Sequence, residues 1–111
     1  MPAQPAHATS VVVHPNAALH DQQAVKVTLT GFDGGAKVFL SECGPDQAPK
    51  PGVGCADQLA AERFAITDDS GVGTATITVR SRVGGGACRS ACLLFAVQKG
   101  RMAKARLRFA P

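Results

Sequence analysis

Four cysteines, at positions 43, 55, 88 and 92, are the residues best suited to do chemistry in this sequence. The last two stand in "GGGACRSAC" (84–92), behind three glycines. Such cysteines have three uses: zinc ligation, thiol exchange or crosslinking. A four-cysteine zinc site wants its paired ligands two to four residues apart; Cys88 and Cys92 fit loosely, Cys43 and Cys55 do not. A redox pair wants C-x-x-C opening a helix, and neither spacing nor context fits. Two disulfides are therefore expected, with three pairings formally open. The local pairing would tie off "GPDQAPKPG" (44–52) with Cys43–Cys55 and close a tight ring over Arg89-Ser90-Ala91 with Cys88–Cys92. Stapled cysteines would place the domain outside the reducing cytoplasm.

No other grouping suggests catalysis. His7, His14 and His20 lack metal-ligand spacing and read as surface residues. Asp68-Asp69 belongs to a turn, where an aspartate bonds its own backbone. "GGGA" (84–87) lacks the Lys-Ser/Thr of a phosphate loop and reads as a flexible connection. No Ser/His/Asp or paired-carboxylate arrangement stands out. The expectation is a non-enzyme with no cofactor and no metal.

The elements that would position these residues are short strands. The chain has 111 residues, enough for one small domain, and 45% are apolar, enough for a core. No stretch could span a membrane as a helix. Ala6-His7-Ala8 has the A-x-A form of a signal-peptidase site, so residues 1–8 read as a leader remnant or disordered tail and 9–111 as the domain. "AVKVTLT" (24–30), "TATITVR" (74–80) and "AKARLRF" (103–109) alternate, as half-buried strands do. Their inward sets are Val25, Val27 and Leu29; Ala75, Ile77 and Val79; and Ala103, Ala105, Leu107 and Phe109. "SVVV" (10–13), "AKVFLSEC" (36–43) and "ERFAIT" (62–67) add strands, and "CLLFAVQ" (92–98) reads as one buried on both faces. "CADQLAAERFA" (55–65) reads as loop with a possible helical turn, leading into the strand from 62. About seven short strands separated by turns predict an all-β antiparallel sandwich.

Charge is placed unevenly. Residues 1–79 hold four Lys/Arg and eight Asp/Glu; residues 80–111 hold eight Lys/Arg and no acid. Lys104, Arg106 and Arg108 would stand in a row on one strand face, joined by Arg80, Arg82 and Arg89 if those segments lie near. Such a face could dock on an anionic polymer (nucleic acid, cell-wall polymer or lipid head groups) or on a protein.

The order and spacing of several segments resemble the neocarzinostatin family, the secreted carriers of enediyne chromophores. Pro15, Leu19 and Asp21 followed by "VKV" (25–27), the turn bracketed by Gly31 and Gly35, "DDSGVGTATITVR" (68–80), "CRSAC" (88–92) and "ARLRF" (105–109) carry it. The resemblance implies a seven-stranded immunoglobulin-like sandwich with two disulfides bordering a cleft for an apolar small molecule. Carried over, the cleft would be lined by Leu40, Pro45, Leu59, Val83, Phe95 and Gln98. Phe39, Phe64 and Phe109 are expected in the core. Only "SRVGGGA" (81–87) separates Arg80 from Cys88, where family carriers have a longer walling ribbon, so the implied cleft is a reduced one.

Overall fold

The structure, a computed structural model, describes residues 9–44, 64–83, 86–98 and 100–111. Strands β1 (Ser10–His14), β2 (Gln23–Thr30) and β5 (Gly73–Val79) form one antiparallel sheet in the order β1-β2-β5. Strands β3 (Lys37–Cys43), β4 (Phe64–Ile66), β8 (Cys92–Gln98) and β9 (Arg101–Leu107) form a second, in the order β4-β3-β8-β9. The two sheets pack face to face as an immunoglobulin-like sandwich. The possible helical turn at 55–61 lies outside the described residues.

The sandwich follows from the two-residue side-chain period. Val25, Val27 and Leu29 of β2 and Ile77 and Val79 of β5 all point inward, as their alternation predicts. From the other sheet they meet Val38 and Leu40, Ala65, Leu94 and Ala96, and Ala103 and Leu107. Ala75, Ala105 and Phe109 pack against this core, partly buried. The outward residues of β2 and β5 are, Ala24 apart, lysine and threonine, which suits an exposed sheet face.

The segment 81–87 departs from expectation. Arg82 pairs with Ala87 and Val83 with Gly86, forming a ribbon of β6 (Arg82–Val83) and β7 (Gly86–Ala87).

The turn at Asp68 organises the approach to β5. Its carboxylate accepts the Ser70 N–H at 2.9 Å, the Ser70 hydroxyl at 2.6 Å and the Val72 N–H at 3.0 Å. These bonds, the Ser70 hydroxyl foremost, hold its pKa below the ordinary aspartate value. A lowered folded-state pKa contributes stability above the unfolded value, about 3.9, and that contribution is lost as pH falls through the folded value. Asp68→Asn is therefore less stable than the parent at neutral pH. The gap in melting temperature narrows as pH falls from the unfolded value through the folded one, on the same linkage. A gap unchanged with pH would show that the charge plays no part.

Candidate functional site

Cross-strand register decides what the four-stranded sheet presents on its outer face. Directly paired residues share a face. The rows Cys43–Leu93–Arg106, Ser41–Phe95–Lys104 and Phe39–Val97–Met102 therefore all look away from the sandwich core. Phe64 pairs with Phe39, and Ile66 with Lys37, on the same side. Cys43, Phe95 and Val97 form a second apolar cluster there, with Leu93 packed against it. Phe39 is 39% exposed, Met102 50% and Ile66 61%, so the apolar surface continues into solvent. The Lys37 ammonium sits 4.6 Å from the Phe64 ring centroid, a cation–π contact that keeps one end of the strip charged.

This geometry redistributes the predicted cleft. Phe95 belongs to the outer face. Leu40 points the opposite way, into the main core, because it pairs with Ala96 and not with Phe95. Val83 packs with Cys88, Cys92 and Phe109 beside the small ring. Gln98 closes the core at the other end of β8, roughly 20 Å along a seven-residue strand. Its Oε1 accepts the Asp33 N–H at 2.9 Å, and its buried Nε2 has no partner among the described residues. The structure thus does not bring Leu40, Val83, Phe95 and Gln98 together. Pro45 and Leu59 lie outside the described residues. Phe39 and Phe64, expected in the core, stand on the outer face, since Val38 and Leu40 take the inward positions of β3.

The small ring forms as anticipated, with Cys88 and Cys92 joined at an S–S distance of 2.07 Å. Cys43 is also disulfide-bonded; its expected partner, Cys55, lies outside the described residues. Beside the ring lies Glu42, fully buried, which the sequence reading passed over. One carboxylate oxygen accepts the Arg80 N–H at 2.8 Å, and the other lies 3.7 Å from Cys88 Sγ. Glu42, Cys88 and Cys92 converge closely enough to hold an ion, but sulfurs tied in a disulfide are not the thiolates a metal needs. Glu42 instead tethers the start of the ribbon to β3.

The basic residues split into two groups. Arg80 and Arg82 are exposed near the ribbon. Lys104 and Arg106 follow Met102 along the outer side of β9, the edge strand. Arg106 Nη1 donates to Ser90 O at 3.1 Å, which ties β9 to the ring carrying Arg89. Arg89 and Arg108 line one concavity next to it. His14 and His20 are exposed, and His7 lies outside the described residues.

The described residues thus define a disulfide-bonded, immunoglobulin-like antiparallel β-sandwich with a second apolar cluster on the outer side of its four-stranded sheet. The chain belongs to the neocarzinostatin family, whose model matches residues 11–100. Its fold is similar to that of macromomycin, with a TM-score of 0.70 and 25% identity over 93% of this chain and 100% of that one. No curated protein matches the chain by sequence.

Proposed function

We propose that this protein binds an apolar small molecule over the outer face of β4-β3-β8-β9 and shields or carries it without acting on it. One observation carries the reading: a second apolar cluster, continuous with exposed Phe39 and Met102, lies on the side of the sheet away from the core. Apolar walls with few polar anchors are what small-molecule sites are made of. Membership of a family of chromophore-binding apoproteins supports the same reading, and the disulfides favour an extracytoplasmic location.

Nile red, a neutral fluorophore that brightens in apolar surroundings, tests the site. Phe39→Ser with Met102→Ser is expected to weaken its binding roughly tenfold, from the partial apolar area each side chain offers. Both residues are substantially exposed, so the melting temperature should hardly move. Unchanged binding in the double variant would remove the outer face from consideration. Native mass spectrometry of the protein from its own host would then seek the natural ligand.

A second reading rests on a separate observation. Lys104, Arg106, Arg108 and Arg89 are all exposed, and the Arg106–Ser90 bond draws the ring toward the basic strand. This end of the molecule suits an anionic partner, with binding that weakens as salt is added.

A further inference from the structure

We propose that the concavity beyond β9 is a binding site for an organic phosphate monoester, its phosphate held by Arg89 and Arg108 and its apolar substituent by Phe109 and Pro111. The proposal deepens the second reading above and rests on it. The concavity has a volume of about 430 Å³ and is lined by Arg89, Ser90, Arg108, Phe109, Ala110 and Pro111. Among the described residues neither guanidinium has an acidic or hydrogen-bonding partner. Asp33 is paired with Arg101 at 3.1 Å, at the start of β9 and away from the hollow. Two arginines lining one hollow, their guanidiniums unpaired among the described residues, match a dianionic oxyanion in charge and in bonding geometry.

The walls are fixed from three directions before any ligand arrives. Phe109 N–H donates to Arg89 O at 2.6 Å, and Ala110 N–H donates to Leu19 O at 2.8 Å. Arg108 is held through its own backbone, donating to Asn16 O at 3.0 Å and accepting from Leu19 N–H at 3.1 Å. Arg106 pins Ser90 as described. Pre-ordered walls lower the ordering cost of binding. Arg89 also adopts φ 46°, a left-handed conformation in which glycine or asparagine would be at home and a long side chain is uncommon. Such outliers cluster at binding sites, and here the outlier is one of the two arginines that line the hollow. Half-buried Phe109 and exposed Pro111 supply an apolar rim that inorganic phosphate would leave unused. A phosphate carrying an apolar group uses both parts.

Phenyl phosphate, titrated near pH 7.5 where its second ionisation is essentially complete, is the test probe, followed through backbone amide chemical shifts. The expected result is saturable movement of the Arg89, Ser90, Phe109 and Ala110 amides. Inorganic phosphate should move the same amides with weaker affinity, and phenol should move none. Arg89→Gly and Arg108→Gln should each weaken phenyl phosphate at least tenfold. Arg89→Gly should do so without lowering the melting temperature, because glycine tolerates the left-handed backbone; a purely structural role for Arg89 would not separate the two readouts. Shifts no larger here than around Lys104, or equal binding by the Arg89→Gly, Arg108→Gln double variant, would overturn the proposal. Salt-sensitive heparin binding that survives in that double variant would overturn the pocket while leaving the basic-face reading standing. Failure of both probes would remove both.

Discussion

Gly71→Ala is expected to destabilise the domain by about 3–4 kcal/mol, the summed effect of a strained backbone and an overpacked contact. Gly71 has φ 83°, which side-chain-bearing residues rarely adopt. Its N–H donates to Asp68 O at 3.0 Å, closing the turn that launches β5. A Cβ added there would collide with the carbonyl oxygen of Phe32. That oxygen is backbone, so no rotamer change relieves the clash; one of two turns must move. Phe32 is itself 5% exposed and part of the core, so its own movement disturbs the sandwich. Gly35→Ala is the control. Gly35 also has positive φ, but an added Cβ meets nothing within 4 Å. It should cost only about 1 kcal/mol, the conformational part alone. Urea unfolding of the two variants separates the terms. Equal costs would show that the Phe32 contact is not the cause.

Leu94→Ala is expected to cost a similar 3–4 kcal/mol, within the range for leucine truncation in a close-packed core. Leu94 is completely buried on β8, paired with Glu42 on one side and Ala105 on the other. Its neighbour Phe95 points to the opposite face. The truncation should therefore leave Nile red affinity within about twofold when measured below the unfolding transition, a difference of under half a kcal/mol. Stability and binding would then be carried by alternate residues of one strand. A cost below about 1.5 kcal/mol would mean that the cavity collapses and the core near Leu94 is loosely packed. A large loss of probe binding would mean that the two faces are coupled through β8.

The alternating strands were legible because their period is local. In β2, one lysine or threonine after each valine or leucine is enough to say which side faces water. The Asp68 turn was legible for the same reason: its bonds reach only to Ser70 and Val72. The Cys88–Cys92 ring needs just the closure of five residues. The outer face of β3 and β8 was not legible. In "CLLFAVQ" both faces are apolar, so alternation carries no signal. Only the pairing of Leu40 with Ala96 assigns Phe95 outward and Leu94 inward. That pairing joins residues 56 positions apart.

The sequence by itself determined the all-β class, the strand faces wherever polar and apolar residues alternate, the tight ring, and a basic C-terminal third. Each depends on residue type and near-neighbour spacing. The tertiary structure alone decided that partly exposed Phe39 and buried Phe95 share the outer sheet face while Leu40 and Gln98 do not. It also decided that Glu42 is buried against the ring, and that Arg89 and Arg108 line one hollow. These depend on register between distant strands and on backbone hydrogen bonds from the Asn16–Leu19 loop and the ring to the end of β9, contacts that no local pattern encodes.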